Sequence, residues 1–222
     1  MAENLTLYFD LEEKQLADIE VISRASLAWS VAIKDIASHV DPGLQISVQL
    51  ESGTKGSLSL NSLVKQVGPY VSDPRNIRIA IVTTLIYITH ESGAWTIGKA
   101  LDHLSSNDIA PIVQSLSEVE KRELAEAVVE ELEAKTGRDN LALVFQEAKK
   151  DRSIKGIGAT TVKSKRPRNI ISREEFDARF SEPIEMEDAP EARQLARRMK
   201  VVLIWPALFR WSNCFVRGSR FV

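Results

Sequence analysis

The sequence predicts an α+β fold: a strand–helix–hairpin–helix unit with two long helices on a small antiparallel or mixed sheet, then an αα-hairpin, then a short β-rich C-terminal region. Three observations carry this. In Leu44–Val67, Ile46, Val48 and Leu50 alternate with polar residues, and Leu58, Leu60 and Leu63 follow beyond Ser52-Gly53-Thr54-Lys55-Gly56. Two such runs around a short glycine-bearing loop form a β-hairpin with one buried face. Upstream, Leu16, Ile19, Ile22, Ala25, Trp29, Ile33, Ile36 and Val40 recur at steps of three or four, the spacing of one helical stripe. Downstream, Pro74–Leu104 is apolar on several sides in its first half, as in a helix buried in a core or an interface.

The elements follow in order. Leu5–Phe9 is a short strand with Leu5, Leu7 and Phe9 on one face. Asp10-Leu-Glu-Glu13 has the form of a capping box, so the first helix is expected from about Leu11 to Val40. At 1.5 Å per residue it would be about 45 Å long. Ala25, Ser26, Ala28 and Ala32 make one side of it small enough for a close neighbour, and Asp41-Pro42-Gly43 stops it. Ser72-Asp73-Pro74 opens the second helix, with Asp73 as N-cap and Pro74 first in the helix; Gly93 marks a bend or break. Residues 105–115 connect to Ser117-Glu-Val-Glu120, a capping box for a helix reaching Lys135 with Gly137 as C-cap. Asn140–Lys150 follows, with Leu141, Val144, Phe145 and Ala148 as its apolar stripe. These two helices are expected to pair as the αα-hairpin.

The rear is less regular. Ile154–Val162 reads as a strand, Lys163–Arg168 as a basic loop, and Ile170-Ile171 as a short strand. Ser172-Arg-Glu-Glu175 caps a brief helix to about Phe180. Ser181–Ala192 reads as an acidic linker, and Met199–Trp205 as a buried strand. The last stretch mixes Phe209, Trp211, Phe215 and Phe221 with Arg210, Arg217 and Arg220, and no acidic residue follows Glu191. The expectation is a small β domain cut short by truncation or a shifted frame. The implied domains are residues 1–105 (α+β), 106–150 (helical connector) and 151–222 (basic, β-containing).

Composition excludes some classes. With 44% hydrophobic and 27% charged residues the chain is ordinary for a globular protein. The net charge of −2 hides an asymmetry: 12 Lys/Arg against 22 Asp/Glu in residues 1–148, and 17 against 9 afterwards. The single cysteine, Cys214, allows no internal disulfide, and the N-terminus lacks the charged-then-apolar order of a signal peptide. The expected location is cytoplasmic. Ile77–Ile88, the most apolar run, holds Arg78 and is shorter than a membrane span, so a buried helix is expected there.

No chemistry-bearing motif stands out. His39, His90 and His103 lack metal-ligand spacing, Cys214 has no nearby histidine in sequence, and Gly156-Ile-Gly158 lacks the third glycine of a dinucleotide fingerprint. No catalytic, cofactor-binding or metal residue is assigned, and no cofactor is implied. Two polar clusters remain. Glu51, Thr54, Lys55 and Asn61 could gather around a polar ligand at the hairpin tip. Lys149, Lys150, Arg152, Lys155, Lys163, Lys165, Arg166 and Arg168 fall within 20 residues and could meet phosphates.

FDLEEKQLADIEVISRASLAW followed by ESGTKGSLSLN, with the later pattern IKGIG…ISREEF…VVLI, resembles bacterial proteins of a family without assigned function. The resemblance implies a bacterial or phage cytoplasmic protein and carries no activity. The leading functional expectation is a non-enzymatic interaction or accessory protein, acting on a protein partner or a second copy through its long helices. Nucleic-acid binding through 149–168 is the alternative, and membrane association through 77–88 the second alternative.

Overall fold

β1 (Ala2–Leu11) runs through the middle of a five-stranded antiparallel sheet in the computed structural model of the chain. The structure describes residues 2–53, 58–67, 73–89, 95–106, 108–163 and 165–177, all within one compact unit spanning residues 1–184. The strand order is β2 (Ile46–Gly53), β3 (Leu58–Gln66), β1, β4 (Ile154–Thr160), β5 (Ile170–Ser172). β2 and β3 are the expected hairpin, in a register that sets Ile46 opposite Gln66 and Gly53 opposite Leu60.

The helices are α1 (Ile19–Val40), α2 (Pro74–Thr89), α3 (Ile97–Leu104), the single turn α4 (Ala110–Val113), α5 (Glu118–Glu133) and α6 (Arg138–Lys149). Leu5, Leu7 and Phe9 of β1 share one buried core with Trp29, Ile33 and Ile36 of α1 and most of α2. The alternate residues Thr6 and Tyr8 are buried as well, so β1 is covered on both faces. Part of that second cover is the loop after β4. A Cβ on Gly158 would lie 2.8 Å from the Asn169 carbonyl oxygen and 3.0 Å from Pro167, so the loop crosses the strand at a distance only glycine permits.

Several local expectations give way to long-range pairing. Asp10 does not cap a helix. Its backbone pairs with Gly156 and its carboxylate takes Arg166 Nη2 at 3.1 Å, which holds residues 10–11 in the sheet. Asp18 caps α1 instead, accepting the Glu20 amide at 2.7 Å, and the helix is 22 residues long. The predicted second helix is two helices, 74–89 and 97–104; His90 and Gly93 lie outside the described residues. Thr96 caps the second of them.

The αα-hairpin is also corrected. α6 packs chiefly on α1, while α5 packs on α2 and α3. Gly137 is not the C-cap of α5. That position is Ala134, and Gly137 sits at φ 73° immediately before α6. The division at 105/106 and 150/151 cuts through a single sheet, because β4 pairs with β1 and β5 with β4. Arg173 fastens this rear to the helices: its guanidinium donates to the carbonyls of Asp151, Ile154 and Lys149. Ser181–Ala192, Met199–Trp205, Cys214 and the aromatic C-terminal stretch lie outside the described residues.

Among the described residues no helix is long and apolar enough to cross a membrane. The apolar run Ile77–Ile88 is the core of α2, and its Arg78 pairs with Glu3 of β1 at 3.4 Å. Burial within this chain accounts for a helix apolar on several sides.

Acid is expected to weaken the fold in two steps. Burial holds the His103 imidazole, beside the Trp95 ring, below the usual histidine range. The unfolded chain therefore takes up that proton first, and stability falls as pH drops through the ordinary histidine range. Further acid titrates carboxyls held low in the fold. Arg75 does this for Asp73; at Asp151, burial is outweighed by the amides of Asp18 and Ser153. Their contribution is present above the ordinary carboxyl range and lost as pH falls through it. Melting temperatures across this range check both steps, and His103→Phe should remove the first while leaving the second.

Candidate functional site: a groove between two helices

Two capping signals legible in the sequence build the site. Asp73 accepts the Arg75 amide at 2.9 Å and the Arg75 Nε at 2.8 Å, which starts α2 with Pro74 in its first turn. Ser117 and Glu120 form a reciprocal capping box: the Glu120 carboxylate takes the Ser117 amide at 2.7 Å, and the Ser117 hydroxyl takes the Glu120 amide at 3.3 Å. α2 and α5 pack together, and the turn after α4 brings in Leu116.

Between the first turns of α2 and α5 lies a groove of about 190 Å³. Its floor is Ile79, Leu116, Leu124 and Ala127. Asp73, Arg75, Glu120 and Glu123 form the rim, with Asn76 and Arg78 also in its lining. Arg75 Nη1 reaches Glu123 at 2.9 Å and so bridges α2 and α5. Asn76 donates to Asp41 at 3.1 Å, just beyond α1, and Arg78 pairs with Glu3, both side chains mostly buried.

Electrostatics follow from these contacts. The Asp73 side-chain bond raises the Arg75 pKa, and Arg75 in turn lowers that of Asp73. Hydrogen bonds from Ser117 hold the Glu120 carboxyl below its usual range. All are ionised near neutrality. The described lining contains no Ser, Thr, His or Cys side chain. The volume is below that of typical small-molecule sites and suits one large side chain. An apolar floor with a charged rim is the make-up of a small protein-contact site.

The hairpin-tip residues are distributed differently. Thr54 and Lys55 lie outside the described residues. Glu51 is in β2, where the pairing register shifts between Leu50 and Ser52. Asn61 is in the middle of β3, buried, and accepts the Thr6 hydroxyl at 2.9 Å. It serves as a cross-strand polar contact on β3.

The basic segment divides between the two ends of β4. Lys149, Lys150 and Arg152 precede the strand, Lys155 is half-buried on it, and Lys163, Lys165, Arg166 and Arg168 follow it. Lys149 pairs with Asp177, Lys150 with Glu147 at 2.6 Å, and Arg166 with Asp10. The Arg168 amide reaches the Asp108 carboxylate at 3.3 Å. Part of the cluster is thus bound internally, and the eight residues do not form one continuous stripe along a single element.

A second titratable group connects helices. His39, in the last turn of α1, places Nδ1 2.9 Å from the buried Glu131 carboxylate of α5. Tyr87 donates to the Leu132 carbonyl at 3.1 Å, and burial pushes its pKa up to about 12, so its proton stays in place. Among the described residues no three His, Cys, Asp or Glu side chains converge as a metal site.

No protein-family model matches the chain, and comparison with curated proteins and with solved structures finds no similar protein.

Proposed function

We propose that the chain is a non-enzymatic interaction module that receives a segment of a partner protein in the groove between α2 and α5. The observation that carries this reading is the groove itself: an apolar floor left open between two packed helices and rimmed by charge. The reading narrows the expectation that the long helices meet a partner. Most of α2 is buried within the chain, and its first turns are what remains for another molecule.

Filling the groove tests it. Ala127→Trp puts an indole on the floor between the helices. The partner recovered by the tagged wild-type chain should be lost with this variant while the thermal transition persists. Val119→Trp, on α5 but outside the groove lining, should retain the partner. Retention by Ala127→Trp would contradict the proposal.

A further inference from the structure

We propose that the segment taken by the α2–α5 groove is cationic: one large apolar side chain for the floor, with a neighbouring Lys or Arg that replaces Arg75 at Glu123. This rests on the reading of the groove as a partner site and adds the partner's chemistry. Among the groove's lining residues, Asp73, Glu120 and Glu123 face two guanidiniums. Arg78 is already held by Glu3, with both side chains less than a fifth exposed, so it is not free to serve an incoming anion. One guanidinium, Arg75, then stands against three rim carboxylates.

The carboxylates differ in how firmly they are held. Glu120 is bound by the amide and hydroxyl of its own capping residue. Asp73 keeps two side-chain contacts from Arg75, at Nε and at Nη2. Among the described residues Glu123 has only the Arg75 Nη1 contact at 2.9 Å, and both side chains are about half exposed. An exposed pair of this kind contributes little, so its exchange for a partner's cation costs little. Arg75 keeps its bonds to Asp73 when it lets Glu123 go. The incoming cation would meet Glu123 with Glu120 one turn away on α5, while its apolar neighbour covers Leu116 and Leu124.

The sign of one substitution separates the charge classes. If Arg75 competes with the partner's cation, removing it strengthens binding; if Arg75 recruits an anion, removing it weakens binding. The test uses the full chain and three fluorescent nonapeptides, each with a central Leu-Phe pair, flanked by Lys/Arg, by Glu or by Ser, read by anisotropy. The Lys/Arg peptide should bind tightest and weaken with salt. Arg75→Ala should tighten it about threefold or more, and Glu123→Ala should weaken it by a similar factor. Ala127→Trp should abolish it.

Tightest binding of the Glu or Ser peptide, lost in Ala127→Trp, would overturn the cationic assignment and leave the groove as the partner site. Weaker binding of the Lys/Arg peptide to Arg75→Ala would do the same. Binding by none of the three, or binding that Ala127→Trp leaves unchanged, would overturn both.

Discussion

Replacing Trp29 with alanine is expected to remove about 3–5 kcal/mol of stability, a large share of what a domain of this size has. Trp29 is 2% exposed on the buried face of α1, in one core with Leu5 and Phe9 of β1 and Ile81 and Leu85 of α2. Its loss would open a cavity that helices on either side cannot close without moving off the sheet. The indole also carries a cost: Nε1 is buried and has no hydrogen-bond partner among the described residues. Trp29→Phe keeps much of the apolar volume and removes that unpaired N–H, so its loss should be about 1 kcal/mol or less. Urea unfolding of both variants checks this. Equal losses would mean that the volume of the ring is not what the site depends on.

Gly137→Ala is the second large effect, at about 2–5 kcal/mol. Two costs add. At φ 73° an L side chain is strained by roughly 1–2 kcal/mol. The new Cβ would also lie 2.8 Å from Ile36 Cγ1 and 3.0 Å from the Ala32 carbonyl oxygen, adding roughly 1–3 kcal/mol of overpacking. The second contact is with backbone, so it is relieved only by parting α6 from α1. Gly98 is the control: a Cβ there meets nothing closer than Thr96 Oγ1 at 3.9 Å, and Gly98→Ala should be neutral or slightly stabilising. Thermal or urea unfolding distinguishes the two substitutions. Similar stability of both would show that the α1–α6 approach yields more easily than its geometry implies.

The sequence expresses local physics well here. The alternation of β2 and β3, Pro74 in the first turn of α2, the Ser117–Glu120 box and the small face of α1 all depend on residues within a few positions of each other. The small face found its occupant in Gly137, seated against Ala32. Where local and long-range demands compete, the local pattern misleads. Asp10 has the spacing of a helix cap, yet it pairs with Gly156 and Arg166, some 150 positions away. The rear looked separate because a strand shows its own alternation and not its neighbour's address.

The groove was illegible for the same reason. Arg75 and Glu123 are 48 positions apart, and neither stands out in its own helix. Both capping signals were visible; their juxtaposition required α2 and α5 to pack. The basic segment, by contrast, was conspicuous in sequence, and three of its cations pair within the chain, with Asp10, Glu147 and Asp177.

The most direct measurement is the affinity of the purified partner for three proteins: wild type, Ala127→Trp and Val119→Trp. A groove that seats a partner side chain predicts a loss of about tenfold or more for Ala127→Trp and none for Val119→Trp. Equal affinity for all three proteins would contradict it and place the interaction elsewhere on the molecule.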